Sequence, residues 1–104
     1  MSDLEQQLKI LKMGYIKKLR DSFPEFEALL SLRTPDINEV YTKVHTISGT
    51  SGMYGIMDLS EISSEFEIYL KEQKANIDMI NYEDLKSKLS TYVENLSSII
   101  FAGE

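Results

Sequence analysis

Apolar side chains recur every three or four residues along most of the chain, and this spacing restricts the fold more than any other feature. Leu4, Leu8, Leu11, Tyr15, Leu19, Phe26 and Leu30 form the first stripe, within a segment from about Asp3 to Leu32. At ~100° per residue such positions share one side of a helix, whereas a strand needs alternation every two residues. Gly14 and Pro24 are expected to divide or kink this first helix.

Thr34-Pro35-Asp36 then reads as an N-cap, a proline at the first helical position and an acid in the first turn. The helix it opens carries Ile37, Val40, Tyr41, Val44 and Ile47 on one side. The Gly- and Ser-rich run from Ser48 to Asp58 should hold the end of that helix and a tight turn. Asp58 followed by Glu61 resembles a capping box for a third helix with Leu59, Ile62, Phe66, Tyr69 and Leu70 inward. Lys74 to Ile80 reads as a loop. Asn81 is placed to cap a last helix with Leu85, Leu89, Tyr92, Val93, Leu96, Ile99 and Ile100 inward. No segment alternates with period two, so strands are not expected. Four stripes on short connections predict an all-α, antiparallel up-and-down four-helix bundle with an extended or kinked N-terminal helix. At 104 residues, positions 1–104 make a single domain.

Composition removes several function classes. With no cysteine there is no disulfide framework or thiolate metal site, and one histidine with scattered carboxylates makes no ligand set. A net charge of −6 argues against nucleic acid, whose phosphates need clustered Lys and Arg. Lys17, Lys18 and Arg20 form one local basic cluster, read as a solvated helix face. No apolar run approaches membrane-spanning length, and MSDLEQQLKI lacks a signal-peptide core, so a cytoplasmic protein is expected. Nothing requires a dimer, and a monomer is the expectation.

Chemistry has one place to sit. His45 is the sole histidine, about a quarter turn from the apolar centre at Val44, which puts its ring at the edge of the core face. Asn38, Thr42, Gly49 and Gly52 surround it on the helical net, all small or uncharged. Each glycine costs ~1 kcal/mol relative to Ala if it is helical. Close approach by another protein would explain that cost, and so would an early start to the turn; the spacing fits both. A histidine nucleophile needs one nitrogen held as a donor so that the other keeps a free lone pair. With a turn near Gly55 and Ile56, Glu67 lies as far from it as His45 does, on the antiparallel helix, and is a candidate acceptor for Nδ1–H.

The stretch His45-Thr46-Ile47-Ser48-Gly49-Thr50-Ser51-Gly52-Met53-Tyr54-Gly55 resembles the signature of the histidine-containing phosphotransfer (HPt) family. That signature has a phosphorylatable His, a basic residue three on, Gly four on, small residues next, and Gly ten on. His45, Gly49 and Gly55 match in register, and Thr50, Ser51 and Gly52 fill the small-residue region. Glu67 falls where the family commonly places a Glu or Gln bonded to the histidine. Tyr15 to Leu30, with Phe23-Pro24, looks like the helix preceding the phosphorylation helix. The likeness spans nearly the whole chain. It departs at Ser48, where the family usually has Lys or Arg; a hydroxyl supplies no charge, and charge-assisted bonds are roughly twice as strong. Lys71, one turn beyond Glu67, is a candidate source of the missing charge.

The resemblance implies a phosphorelay intermediate of two-component signalling. His45 would be the phosphoacceptor, Glu67 its orienting group, and Ser48 would stand at the usual cation position. The donor would be a receiver-domain aspartate or a histidine kinase, and the recipient another receiver. It implies a carrier rather than an enzyme, with no cofactor and with Mg²⁺ only in the partner receiver; no ATP-binding or kinase motif is present. Contact candidates for the partner are Asn38, Tyr41, Thr42, Gly49, Gly52 and Met53, with Tyr41 and Met53 as apolar anchors. Two alternatives compete: a phosphorylation-incompetent docking module that regulates a receiver or kinase by binding, and a plain four-helix adaptor.

Overall fold

Local chemistry at the segment ends sets where each helix begins and stops. A computed structural model describes residues 2–102. Helix α1 runs Asp3–Ser31, α2 Ile37–Met53, α3 Met57–Ala75 and α4 Tyr82–Ile100, with a single 3₁₀ turn at Ile77–Met79. No strand occurs among the described residues, and none of the helices is long and apolar enough to cross a membrane.

Helix α1 is continuous through Gly14 and Pro24, so neither divides it. Proline removes one N–H and crowds the carbonyl four residues back. Here Phe26 and Leu29 are buried just beyond it, Phe23 packs edge-on against Phe101, and the Ser22 hydroxyl donates to the Leu19 carbonyl at 2.9 Å. Tertiary packing on both sides of Pro24 outweighs the lost hydrogen bond.

The second helix begins later than its sequence suggests. Asp36, not Thr34, is the N-cap, its carboxylate accepting from the Asn38 N–H at 2.9 Å, and Pro35 lies outside the helix. A short polar side chain two residues before the N–H it caps makes the better acceptor here. Gly49 and Gly52 are both helical, and α2 ends only at Met53. The turn is closed by Gly55 at φ +69°, a conformation that costs residues with a Cβ roughly 1–2 kcal/mol. The Ile56 N–H reaches back to the Ser51 carbonyl at 2.9 Å, which satisfies a terminal acceptor of α2.

That tight reversal leaves no room for the expected capping box. The chain enters α3 directly after Ile56, which makes no side-chain cap, and Asp58 is already in the first turn. There its carboxylate still favours the positive end of the helix dipole. The expected Lys74–Ile80 loop is largely ordered, as the end of α3 and the 3₁₀ turn. Asn81 caps α4 as expected, accepting from the Asp84 N–H at 3.0 Å.

Cross-helix pairs establish the directions. Ser48 and His45 of α2 meet Ser64 and Glu67 of α3, Ser63 and Tyr69 of α3 meet Tyr92 and Asp84 of α4, and Arg20 and Phe26 of α1 meet Ile100 and Tyr92. Each neighbouring pair is antiparallel. Val40, Val44, Leu59, Leu70, Leu85 and Leu89 form a fully buried centre, joined by Leu19, Phe26 and Ile100. One polar pair lies within it: the Ser63 and Tyr92 hydroxyls hydrogen-bond at 2.7 Å, and burial pushes the Tyr92 phenol above its ordinary range. Arg20 is not a solvated residue of a basic face. Its Nε donates to the Ile100 carbonyl at 2.8 Å, and its guanidinium lies over Phe101.

The stripe of α1 has two fates. Leu19 and Phe26 are buried and Tyr15 and Leu30 partly so, whereas Leu4, Leu8 and Leu11 remain 74, 46 and 54% exposed. The Tyr15 ring meets Tyr54 in the α2–α3 turn, and Ile10, Leu11 and Gly14 still border a hollow shared with Thr50 and Tyr54.

Candidate functional site

The inward stripe of α2 (Ile37, Val40, Val44 and Ile47) anchors that helix, and His45, one residue on from Val44, is carried to the α2–α3 seam. On α3, Phe66 is buried, and its neighbour Glu67 reaches the same seam. The His45 Nδ1 lies 2.5 Å from Glu67 Oε1. Exposure divides the pair: the imidazole is 63% exposed and the carboxylate only 12%.

A carboxylate accepts hydrogen bonds, so Nδ1 carries the hydrogen. In the neutral ring Nε2 then holds an unshared lone pair, on the edge away from Glu67. A nucleophilic nitrogen on an exposed ring, backed by a sheltered carboxylate, can attack an electrophile that is brought to it. The ring is neither sealed in the bundle nor walled off by bulky neighbours.

Other groups converge on the same carboxylate. The Tyr41 hydroxyl donates to Glu67 Oε1 at 3.3 Å, while the Tyr41 ring stacks on the imidazole at 5.6 Å between centroids and 12° between planes. Lys71 Nζ lies 3.8 Å from that oxygen, and Lys74 Nζ sits 4.1 Å from the centre of the Tyr41 ring. Tyr41 therefore braces the ring of His45 and the carboxylate that holds it, a contribution beyond that of the apolar anchor expected from sequence.

Ser48 lies one turn beyond His45, but its side chain is engaged across the seam. Its hydroxyl pairs with that of Ser64 at 2.6 Å, and its carbonyl accepts from Ser60 at 3.2 Å. Among the remaining contact candidates, Asn38, Thr42, Gly49, Gly52 and Met53 are exposed, Met53 to 80%. They lie within about a quarter turn of His45 on the helical net. A Cβ on Gly49 would meet nothing within 4 Å, so that glycine answers no steric demand inside the chain; one on Gly52 would touch Ser60 Oγ at 3.4 Å.

The Tyr41–Glu67 bond, the Ser48–Ser64 pair and the approach of Lys74 go beyond the sequence expectations. Tyr41 was open to inference, since it precedes His45 by four residues and such positions are neighbours on a helix. Ser64 and Lys74 were not, because their roles depend on the register between α2 and α3.

A family model, the Hpt domain, matches residues 3–98. The chain belongs to the Hpt domain family, whose members carry phosphoryl groups on histidine in two-component signalling and are phosphocarriers rather than ATP-binding enzymes. It matches no curated protein and no solved structure.

Proposed function

We propose that this chain is a phosphorelay intermediate in which His45 Nε2 accepts a phosphoryl group from a receiver-domain aspartate or a histidine kinase and passes it to another receiver. The observation that carries the reading is the exposed imidazole tied through Nδ1 to Glu67 at 2.5 Å. With an aspartyl phosphate as donor, the Nε2–P bond forms as the aspartyl O–P bond breaks, and the aspartate leaves as a carboxylate. The Nδ1 hydrogen stays on its nitrogen, where Glu67 offsets the charge gained by the ring. Positioning and electrostatics supply most of such a transfer, which suits a chain offering little more than a held nucleophile. Mg²⁺ belongs to the receiver's acidic pocket, and the work is cytoplasmic. Asn38, Tyr41, Thr42, Gly49, Gly52 and Met53 form the face on which the receiver docks.

Incubation with a phosphorylated receiver should give an acid-labile, alkali-stable label on the chain. His45→Gln should abolish it while helix content and receiver binding persist. A label retained by His45→Gln would overturn the assignment.

A second reading has one observation in its favour. Where the family usually has Lys or Arg stands Ser48, and its hydroxyl is engaged by Ser64. A module that docks on receivers without accepting phosphate would tolerate that replacement. Receiver binding with no label on the wild-type chain would favour it.

A further inference from the structure

The amino-terminal half of α1 repeats the 4-3-4 spacing of a coiled-coil seam with Leu4, Leu8, Leu11 and Tyr15. Among the described residues, Leu4, Leu8 and Leu11 remain about half exposed or more. Beside this segment lies an open groove of about 700 Å³ between α1 and α2. Leu11, Gly14, Tyr15, Leu19, Ile47 and Thr50 are among the residues that line it. The helix from Asp3 to Gly14 is about 18 Å long, enough to lie along the α1 wall of the groove from Ile10 to Leu19, about 14 Å.

Charge matches as well. The charged residue lining this stretch of the groove is Lys18, Lys43 being paired with Glu25, whereas the first turns of α1 bring Asp3 and Glu5. In an antiparallel pairing of two α1 helices, the register that sets Leu8 beside Tyr15 also sets Leu4 beside Leu19 and Glu5 beside Lys18. Gly14 adds an independent sign. A glycine within a helix costs it stability, yet a Cβ here would meet nothing within 4 Å, so no packing inside the chain explains it. A bare backbone at the rim of a groove lets a second helix approach closely.

We propose that two copies of this chain associate about a two-fold axis, each laying its Leu4–Leu8–Leu11 face in the α1–α2 groove of the other. Such an isologous contact uses segment and groove twice and closes on itself, which limits the assembly to a dimer. Glu25 pairs with Lys43 and Tyr15 meets Tyr54, so Leu19 lies level with the later part of α2, beyond His45. An occupant reaching only to Leu19 stops short of the level of His45, which does not line the groove.

Sedimentation velocity over a concentration series tests this with the whole chain. The wild type should sediment as a dimer at high concentration. Leu8→Glu should weaken association at least about a hundredfold, by placing a carboxylate in an apolar contact twice over, while far-UV circular dichroism is unchanged. Glu5→Lys and Lys18→Glu should each weaken it about two- to fivefold, and the double swap Glu5→Lys/Lys18→Glu should restore it. A wild type that stays monomeric at millimolar concentration would overturn the proposal, even if a receiver bound the leucine face. So would a Leu8→Glu dimer, or a double swap no better than either single.

Discussion

Helices α2 and α3 and the first half of α1 share the same apolar periodicity and meet different ends. Val40, Val44, Leu59 and Leu70 are fully buried, because a three-residue turn folds α3 back along α2 and every turn of one finds the other. Leu4, Leu8 and Leu11 obey the same spacing but remain about half exposed or more. An amphipathic stripe therefore specifies that a face is to be covered without saying by what. The His45–Glu67 pair sits in the closed region, where Glu67 is only 12% exposed and can fix the orientation of the ring.

Mutations that empty the two regions should differ most in stability. Leu70→Ala leaves a cavity in a packed centre and should cost about 2–5 kcal/mol in urea denaturation. Leu8→Ala, measured at dilution, should cost under about 0.5 kcal/mol. Equal losses would mean that the amino-terminal half of α1 is covered within the single chain.

The next effect is smaller and depends on pH. Tyr92→Phe removes the partner of the buried Ser63 hydroxyl and should cost about 1–3 kcal/mol at neutral pH. Burial raises the Tyr92 phenol above the ordinary tyrosine value of about 10, so the folded state favours the neutral form. That contribution is complete below about pH 10 and is lost as pH rises from there towards the folded-state value, because unfolding then releases a proton. Wild-type stability should fall above about pH 10, and Tyr92→Phe should flatten the fall; an unchanged slope would remove Tyr92 from it.

Smallest in free energy are the changes around His45. Glu67→Gln keeps an acceptor for Nδ1–H but loses the charge, and phosphorylation of His45 should slow about tenfold, or ~1.4 kcal/mol. Tyr41→Phe loses a 3.3 Å bond but keeps the stacked ring, and should slow it about twofold. Labelling rates against one receiver measure both. A larger effect at Tyr41 than at Glu67 would reverse their assigned importance.

How much was legible in the sequence varies with the range of the interaction. The stripe from Val40 to Ile47, the Asn81 cap and the His45–Glu67 pair could be read because each rests on helical spacing and, for the pair, on one turn whose place Gly55 marks. Thr34 and Asp58 read as the start of caps because several oxygen-bearing side chains lie close together there. Which of them meets a free N–H depends on where the preceding turn releases the chain. The continuity of α1 through Pro24 was hidden for a related reason: the opposing contact, Phe23 on Phe101, joins opposite ends of the sequence.

The sequence by itself determined that the chain forms four helices, that one face of each is apolar, and that a lone histidine borders one of those faces. Periodicity and residue type act within a few residues, so they need no fold to be read. Only the tertiary structure decided that the imidazole stays open while its carboxylate is sheltered, that Tyr41 braces both, and that Leu4, Leu8 and Leu11 stay about half exposed or more. These depend on the register and reach of helices distant in sequence, where packing of the whole core, rather than any local preference, selects the arrangement.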